Sequence, residues 1–536
     1  MSFKSLTKSI YKQAFLRFSP ITIGLCLISL FVFLTGNNTF FEKILSHYSI
    51  SWQNTSFLIS LFMFFALATI LFTQIISFIK IEKWISILIV LVTATSAYYM
   101  DTYGVIIDDI MIHNMISTDT LEVMGLMSTE FVIRIIFLGI IPSILILKYF
   151  PKPLGYASEI KSRLVIIAML IISMTVIVLT SYDKYEHFWR EQRLLRFYAN
   201  PTYPVYSTFK YVKQVIQADE AVTPKITVAD GVKSSSTKKN LYIFVVGETA
   251  RADRFSLNGY SRETNPLLSK EKMISFSNVK SCATSTSESL PCMFSILGAD
   301  DYRRDKARVL ENALDVLKKY GVKVLWRDNN SDSKGVALRV KYEDFRTPTM
   351  NPKCDAECRD VGMLGGLDEF IEENKQSDIL IVLHQLGNHG PEYYRRYTSE
   401  YKKFQPVCLD GNLENCSKQE IDNGYDNAIL YTDYFLSETI QSLKKHSQAF
   451  NTGMIYVSDH GESLGENGVY LHAAPVKSAP KEQTHVPAVL WIGEHSKHDI
   501  SQFEKYKNSQ LSHDVIFCSL LAAYDIETKV CPIGIN

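Results

Sequence analysis

The chain has 536 residues, a length that allows roughly three or four domains of about 150 residues each. Its 56 Lys and Arg balance its 56 Asp and Glu, which gives no indication of nucleic-acid binding, and 47% apolar against 21% charged residues excludes a generally disordered chain. Nine cysteines are too few for a small fold held together mainly by disulfides, and the mean hydropathy of +0.02 averages two unlike halves.

The N-terminal third contains long apolar stretches that are almost free of charge. They lie between Arg17 and Glu42 and within Phe57–Ile79, Trp84–Met100, Phe131–Leu147 and Leu164–Tyr182. A helix needs about 20 apolar residues to cross the ~30 Å hydrocarbon layer. Five such stretches predict an α-helical membrane domain of five transmembrane helices over residues 1–182, rather than buried core helices or a cleaved signal peptide.

Lys and Arg are distributed unevenly between the loops. The positive loops are the N-terminal arm (Lys4, Lys8, Lys12, Arg17), the loop after the second span (Lys80, Lys83) and the loop after the fourth (Lys148, Lys152, Lys161, Arg163). The segment from Asp101 to Ile133 has neither residue type. Because positive loops favour the cytoplasmic side, we expect a cytoplasmic N-terminus and an extracytoplasmic chain after Tyr182.

Cysteine positions bear on the compartment of the C-terminal part. Eight of the nine cysteines follow residue 280, and six form close pairs: Cys282 with Cys292, Cys354 with Cys358, and Cys408 with Cys416. Their spacings do not repeat a zinc-ribbon pattern, so they indicate disulfides in an oxidising compartment. Cys518 and Cys531 form a fourth pair or stay reduced; the sequence leaves both open.

Residues 183–239 are predicted to be a juxtamembrane linker. Residues 183–222 mix charged and aromatic residues at helical spacing, and the Ser-rich stretch Val232–Lys239 is typical of a flexible joint. From residue 240 to 536, apolar strands alternate with amphipathic helices, which predicts an α/β layered domain around a parallel sheet. The predicted strands are Leu241–Gly247, Val322–Trp326, Asp378–Leu383, Met454–Val457 and Val486–Ile492, and the predicted helices are Ala307–Tyr320 and Asp426–His446.

Acidic residues and histidines follow several of these strands. Glu248 follows the first strand, the run from His384 to His389 follows the third, and Asp459 and His460 follow the fourth, with His472 twelve residues later. The carboxyl ends of parallel strands meet at one sheet edge, where ligands bind. Mixed carboxylate and imidazole ligands therefore predict a metal site that suits zinc or manganese.

Two further segments carry polar groups that suit phosphoryl chemistry. Ser281–Cys292 is rich in hydroxyls and precedes a helix-compatible run, so one of its hydroxyls is either a nucleophile or a helix cap. The metal edge in the same domain favours the nucleophile. Lys334, in the loop after the second strand, is able to hold a phosphate, although a plain solvated loop explains the same spacing.

Taken together, these motifs resemble the phosphoethanolamine transferases that modify lipid A, including the mobile colistin-resistance enzymes. The resemblance covers nearly the whole chain and rests on VGETAR from Val246, the Cys282–Cys292 segment, WRDNNSDSKG from Trp326, HQLGNHGP from His384, SDHGESLGENG from Ser458, and His472. It implies a catalytic domain similar to sulfatases and alkaline phosphatases. Ala283 replaces the glycine usual in the family, which restricts the backbone without removing a reacting atom.

The resemblance also implies roles for individual residues. Thr286, four residues after Cys282, would be the nucleophile, with Thr284 as its rival. Glu248, Asp459 and His460 would bind one zinc ion together with Thr286. Groups that would contact the phosphoryl group or a second metal are Asn330, Lys334, His389 and His472, and groups implied in donor-lipid binding are Asn114, Thr118 and Glu122. His384 receives no role, and the three close cysteine pairs match disulfides of the family.

The function implied by the resemblance is transfer of phosphoethanolamine from phosphatidylethanolamine to a phosphate of lipid A, through a phosphothreonine intermediate. We expect a monomer in the bacterial inner membrane with a periplasmic catalytic domain, one or two zinc ions, and no nucleic-acid partner. Alternatives are a phosphoglycerol transferase, transfer to another glycan, a phosphatase or sulfatase with water as acceptor, and a non-catalytic membrane sensor.

Overall fold

The structure is a computed structural model that describes residues 18–77, 80–117, 126–153, 155–192, 195–218, 224–234, 236 and 238–531. Contacts divide the described residues into two compact units, one within 1–112 and 127–212 and the other within 113–126 and 213–536. The predicted domain boundaries after residues 182 and 239 stay predictions. The positively charged N-terminal arm, with Lys4, Lys8, Lys12 and Arg17, lies outside the described residues.

The part of the chain before the sheet is helical. Its helices are α1 (Pro20–Thr35), α2 (Asn38–His47), α3 (Trp52–Ile76), α4 (Glu82–Tyr103), α5 (Asp109–Ser117), α6 (Thr129–Tyr149), α7 (Tyr156–Thr180), α8 (Tyr182–Glu191) and α9 (Thr202–Ala218). Among the described residues, α3, α4, α6 and α7 are long and apolar enough to cross a membrane. The prediction of a helical membrane region is therefore confirmed.

The first predicted span consists of two helices. The chain bends by 59° between α1 and α2, so the described residues contain four candidate spans, or five if this pair is one span. Asn37 lies at the bend, where its side-chain amide donates to the Phe33 and Asn200 carbonyl oxygens. Asn200 in turn donates to the Gly36 and Thr93 carbonyl oxygens. The bonds to the Phe33 and Gly36 carbonyl oxygens satisfy backbone groups at the break, and the other two tie the break to α4 and to the segment before α9.

The second unit is built around an eight-stranded sheet in the order β11-β3-β10-β7-β2-β6-β4-β5. The strands of the unit are β1 (Val232–Lys233), β2 (Lys239–Gly247), β3 (Met273–Lys280), β4 (Lys323–Asp328), β5 (Lys341–Asp344), β6 (Ile379–His384), β7 (Phe450–Ser458), β8 (Ser463–Glu466), β9 (Val469–Leu471), β10 (His485–Ile492), β11 (Leu511–Ser512) and β12 (Ile526–Glu527). Strands β5, β4, β6, β2 and β7 run parallel. Their carboxyl ends therefore share one edge.

The sheet is not parallel throughout, which corrects the expectation for the strand at Val486–Ile492. Strand β10 runs antiparallel to both β7 and β3. After β7 the chain stays at the carboxyl edge in the β8–β9 hairpin, and it returns to the sheet from that edge. A strand that re-enters beside its predecessor without a crossover has to run in the opposite direction.

Helices cover both faces of the sheet. They are α10 (Thr286–Met293), α11 (Gly298–Asp301), α12 (Arg304–Ala307), α13 (Ala313–Lys319), α14 (Leu367–Glu373), α15 (Lys418–Lys445), α16 (Lys481–Thr484) and α17 (Ile516–Ala523). Side chains of β2 alternate between two cores: Ile243 lies in the core on the α15 side, and Phe244 lies in the core that holds Leu317 of α13 and Leu520 of α17. Burial on both faces explains why polar and apolar residues do not alternate along β2.

Two local predictions were wrong. The predicted helix Ala307–Tyr320 is broken, because Asn312 begins a new helix with a capping box: its side chain accepts from the Asp315 N–H, and the Asp315 side chain accepts from the Asn312 N–H. The predicted joint Val232–Lys239 contains strand β1, which pairs with β12.

Four disulfides occur among the described residues. They are Cys282–Cys292, Cys354–Cys358, Cys408–Cys416 and Cys518–Cys531, and Cys26 is reduced. The fourth pair, which the sequence left open, joins α17 to the segment after β12.

Candidate active site

The site lies at the carboxyl edge of the parallel strands. Gly247 at the end of β2 is in register with Ser458 at the end of β7, so the next residues, Glu248 and Asp459, lie side by side. His460 follows directly. The opposite neighbour of β2 is β6, which ends at His384, and β4 beyond it ends at Asp328, two residues before Asn330. The register thus brings side chains from distant parts of the chain to one place.

Glu248, Asp459 and His460 form a compact group that is fully buried. One ligand atom from each lies within 4.8 Å of the other two. His460 Nε2 is 3.4 Å from Glu248 Oε1 and 3.4 Å from Asp459 Oδ2. His460 Nδ1 lies 2.9 Å from the Gly461 carbonyl oxygen, which only accepts, so the proton is on Nδ1 and the Nε2 lone pair faces the carboxylates.

The donor set fits a divalent cation. Asp459 Oδ2 is buried and has no hydrogen-bond partner among the described residues. Burial raises the pKa of Asp459 to about 6 and lowers that of His460 well below its ordinary value. Two buried carboxylates beside a neutral imidazole are costly without a positive charge, and oxygen and nitrogen ligands of this kind bind zinc or manganese.

Thr286 is the hydroxyl residue that borders this group. Its Oγ1 donates to Glu248 Oε2 at 3.1 Å and lies 3.3 Å from His460 Nε2. The rival hydroxyl, Thr284, donates instead to the Ala474 carbonyl oxygen at 2.5 Å. The geometry therefore favours Thr286 over Thr284 as the reacting oxygen.

Thr286 is also the first residue of α10. Ser285 is the N-cap residue and makes no side-chain cap bond. The first N–H groups of a helix have no intrahelical partner and suit a phosphoryl oxygen. The disulfide between Cys282 and Cys292 ties the segment before this helix to the helix itself.

The loop after β4 supports Glu248 from the other side. The Asn330 side-chain amide donates to Glu248 Oε2 at 2.6 Å and to the Gln385 carbonyl oxygen at 2.8 Å. The loop is held by Asp328, which accepts from the Asn330 N–H at 2.9 Å and contacts His384 Nδ1 at 2.9 Å. His384, for which no role was predicted, is fully buried behind the site.

His472 and His389 extend the site beyond the metal group. The His472 ring lies 4.6 Å from the His460 ring and 5.2 Å from the His389 ring, measured between centroids. His389 Nδ1 donates to the Gly390 carbonyl oxygen at 2.8 Å, and burial lowers its pKa to about 4. His472 thus lies against the His460 ring, and His389 lies against His472.

Several residues around the site have a left-handed backbone that non-glycine residues rarely adopt. Thr249 (φ 51°) follows Glu248, and Leu471 (φ 61°) and Ala473 (φ 68°) flank His472. Lys334, predicted to contact the phosphoryl group, has φ 47°. Its Nζ donates to the Ser331 carbonyl oxygen at 2.9 Å. Backbone strain of this kind persists where surrounding contacts hold a residue in place, and it is common at active sites.

Of the three predicted donor-lipid residues, Asn114 is described. It lies in α5, in the part of the chain that clusters with the sheet, and its Oδ1 accepts from the Ser287 hydroxyl, one residue after Thr286. Thr118 and Glu122 lie outside the described residues. The roles of all three stay predictions.

Two buried residues that hold the site together could not be predicted from the sequence. His513 accepts from the Cys282 N–H at 3.1 Å and lies 3.0 Å from the Ser458 carbonyl oxygen, which links the nucleophile segment to the end of β7. Asp360 accepts from Asn329 at 2.8 Å and from the Leu386 N–H at 2.8 Å, which joins the loops after β4 and β6. Both are far in sequence from every motif.

Comparison with known proteins identifies the family. The sulfatase family model matches residues 240–526, and the model described as phosphoethanolamine transferase EptA/EptB matches residues 64–216. Phosphatidylethanolamine transferase Mcr-1 of Escherichia coli is 42% identical over 516 residues, which cover 93% of this chain and 94% of the relative. Phosphoethanolamine transferase EptA of Escherichia coli K12 is 35% identical over 467 residues, 84% of each chain.

A solved structure matches the chain along almost its full length. It is the integral membrane protein lipooligosaccharide phosphoethanolamine transferase A of Neisseria meningitidis, with a TM-score of 0.91, 30% identity, and coverage of 95% of this chain and 97% of that one. The fold, the membrane helices and the sequence relatives all indicate the same family. The chain is therefore an integral membrane enzyme that belongs to the phosphoethanolamine transferase family.

Proposed function

We propose that the protein transfers phosphoethanolamine from phosphatidylethanolamine to a phosphate of lipid A through a covalent intermediate on Thr286. The observation that carries the proposal is the position of Thr286 Oγ1 at the buried Glu248–Asp459–His460 group and at the start of α10. Relatives that are phosphatidylethanolamine and phosphoethanolamine transferases support the donor and the transferred group. The name of a lipooligosaccharide transferase supports a lipid acceptor.

In the first step, Thr286 Oγ1 attacks the phosphorus of the donor lipid. The bond from phosphorus to Oγ1 forms, and the bond from phosphorus to the diacylglycerol oxygen breaks. Glu248 Oε2, which lies 3.1 Å from Thr286 Oγ1, accepts the hydroxyl proton. The leaving diacylglycerol oxygen takes up a proton. The open N–H groups at the start of α10 and the Lys334 ammonium offset charge on the nonbridging oxygens.

In the second step, a phosphate oxygen of lipid A attacks the same phosphorus. The new phosphoanhydride bond forms, the bond from phosphorus to Oγ1 breaks, and Thr286 recovers its proton. Asn330, Lys334, His389 and His472 are proposed to hold the phosphoryl group or a second cation, and Asn114 the donor lipid. A protein that keeps both lipids at one membrane surface confines their encounter to that surface.

The cation is proposed to be zinc, with manganese as the alternative, held by Glu248, Asp459, His460 and Thr286. When bound, it lowers the pKa of the nucleophilic hydroxyl and neutralises developing negative charge. The Gly461 carbonyl oxygen keeps His460 in the tautomer that offers Nε2.

The protein is further proposed to lie in the bacterial inner membrane as a monomer, with the N-terminus in the cytoplasm and the catalytic domain in the periplasm. Lys and Arg distribution and the four disulfides support this orientation. An ethanolamine ammonium on lipid A reduces the negative charge of the outer surface. Weaker binding of cationic peptides, and hence polymyxin resistance, is the expected consequence.

The proposal is tested by mass spectrometry of lipid A from cells that express the wild type, Thr286→Ala or Thr284→Ala. We expect a phosphoethanolamine mass increment with the wild type and Thr284→Ala and none with Thr286→Ala. Thr284→Ala is a matched control, because its hydroxyl donates to a backbone carbonyl outside the metal group.

Other outcomes identify the alternatives. A phosphoglycerol adduct excludes the proposed donor, and an adduct on another glycan excludes the proposed acceptor. Free phosphoethanolamine without a lipid product indicates that water is the acceptor. An undiminished increment with Thr286→Ala contradicts the proposed nucleophile.

A further inference from the structure

The β8–β9 hairpin places a buried glutamate against one of the site histidines. Ser463 pairs with Leu471 in the hairpin, so Glu462 and His472, the residues just beyond this pair, lie opposite each other. His472 Nδ1 is 2.8 Å from Glu462 Oε2. Glu462 is fully buried, whereas His472 faces the cluster that contains His460 and His389.

The second oxygen of Glu462 is also fixed. Tyr393, itself buried, donates its hydroxyl to Glu462 Oε1 at 2.8 Å. Space for this carboxylate depends on Gly390, because a Cβ at that position would lie 2.5 Å from Glu462 Oε1. The carboxylate is thus held from one side by Tyr393 and holds His472 on the other.

We propose that Glu462 is a positioning residue for the transfer reaction: it anchors His472 through Nδ1–H and thereby makes Nε2 the nitrogen that faces the transferred group. The inference rests on the proposed function, in which His472 contacts the phosphoryl group or a second cation. An ionised carboxylate only accepts, so Nδ1 carries the proton whether the ring is neutral or charged. The backbone that carries the ring is left-handed on both sides, at Leu471 and Ala473.

The arrangement resembles that of the other two histidines but uses a different acceptor. His460 and His389 each donate Nδ1–H to a backbone carbonyl oxygen, of Gly461 and Gly390 respectively. Glu462 is therefore the one side-chain acceptor in this set of three, and the one that a substitution is able to remove. Groups that orient such rings are worth about 10- to 100-fold in affinity or activity.

Two measurements on the full-length protein test the proposal. The first is nitrogen NMR of protein labelled in its histidine rings, with the His472 signal assigned by its absence in His472→Gln. We expect a protonated, hydrogen-bonded Nδ1 on His472 in the wild type and in Tyr393→Phe, and its loss in Glu462→Leu, which has no acceptor, and in Glu462→Asp. This readout does not require activity, so it separates failure of the inference from failure of the proposed function.

The second measurement is a double-mutant cycle on transfer from phosphatidylethanolamine to lipid A. Glu462→Leu is expected to lower kcat/KM about 10- to 100-fold in the wild type and less than about twofold in His472→Ala. Thermal midpoints identify variants that fail to fold, and Glu462→Asp, which keeps the charge but shortens the reach, then replaces Glu462→Leu. Equal losses in both backgrounds, or an unchanged Nδ1 proton in Glu462→Leu, overturn the proposal.

Discussion

Glu248 accepts from two donors on one oxygen and faces His460 with the other. Thr286 and Asn330 both donate to Oε2, at 3.1 and 2.6 Å, while Oε1 lies 3.4 Å from His460 Nε2. Asn330 also donates to the Gln385 carbonyl oxygen, so its amide fixes Glu248 relative to the loop after β6. The amide is thus an orienting group for a predicted metal ligand.

Asn330→Ala is expected to weaken metal binding about 10- to 100-fold, because the carboxylate of Glu248 loses the donor that orients it. The measurement is zinc affinity of the metal-depleted full-length protein, followed by competition with a chelator. Asn451→Ala serves as a control, since this buried asparagine donates to Asn240 and Lys238 at the opposite end of β2. Equal affinities in Asn330→Ala and the wild type would show that Glu248 is held without this amide.

His513 makes folding stability depend on pH. Burial lowers its pKa from 6.5 to about 4, so between these values the unfolded chain binds a proton that the folded chain does not. The free energy of unfolding is therefore unaffected by this residue above pH 6.5. It decreases by up to about 3 kcal/mol as the pH falls toward 4.

His513→Gln tests this, because a glutamine amide is able to replace both hydrogen bonds without titrating. We expect a thermal midpoint close to wild type at pH 7.5 and a smaller decrease between pH 6.5 and 5. His495→Gln, at an exposed position, should retain the wild-type decrease. If His513→Gln destabilises as steeply as the wild type, the imidazole is not held neutral.

At the scale of elements, the turn after β6 approaches the end of β2 so closely that it needs glycine. Gly387 has φ +53°, and a Cβ there would lie 2.9 Å from the Glu248 carbonyl oxygen and 3.0 Å from the Glu248 Cβ. A side chain at this position therefore has to displace the backbone that carries a predicted metal ligand.

Gly387→Ala is expected to reduce metal affinity and transfer together, by more than about 10-fold. Gly259→Ala is the matched control: Gly259 also has positive φ, at +97°, but its Cβ would meet nothing within 4 Å. The control should cost about 1 kcal/mol of stability and leave zinc affinity unchanged. Equal metal affinities in the two variants would contradict a close contact between Gly387 and Glu248.

Strands could be located from the sequence better than they could be oriented. The apolar runs of β2, β4, β6, β7 and β10 were found because burial on both faces removes polar alternation. The direction of β10 was missed, because an apolar strand has the same residue pattern in either direction. The return through the β8–β9 hairpin also has no sequence pattern that predicts it. The break in the helix before Ala313 was missed although the Asn312 capping box is visible in the sequence.

At the scale of the whole molecule, the predicted metal group could be found because its members directly follow strands. Parallel register then places Glu248 beside Asp459 without knowledge of the loops. Asp360 and His513 could not be found in this way, because they act through contacts that depend on the path of loops. Glu462 lies in the SDHGESLGENG segment, but its contact with His472 depends on the path of the β8–β9 hairpin.

The buried group of Glu248, Asp459 and His460 is expected to make the stability of the whole protein depend on a cation. Glu248 and Asp459 are fully buried and close together, so a bound divalent ion relieves their repulsion. A cation present at a hundredfold excess over its dissociation constant is expected to stabilise the folded protein by about 2.7 kcal/mol. Chelation should therefore lower the thermal midpoint and abolish transfer, and zinc or manganese should restore both.

Asp459→Asn separates the effect of the cation from that of the fold. Without metal, the variant should be at least as stable as the wild type, because one of two buried negative charges is removed. With metal, its midpoint should rise much less than that of the wild type, whereas Thr286→Ala, which keeps all three charged or imidazole ligands, should retain most of the increase. The measurement is thermal unfolding of the full-length protein with chelator and with added zinc. A wild-type midpoint that does not respond to zinc, or an Asp459→Asn midpoint that responds fully, would show that the buried group does not hold a cation.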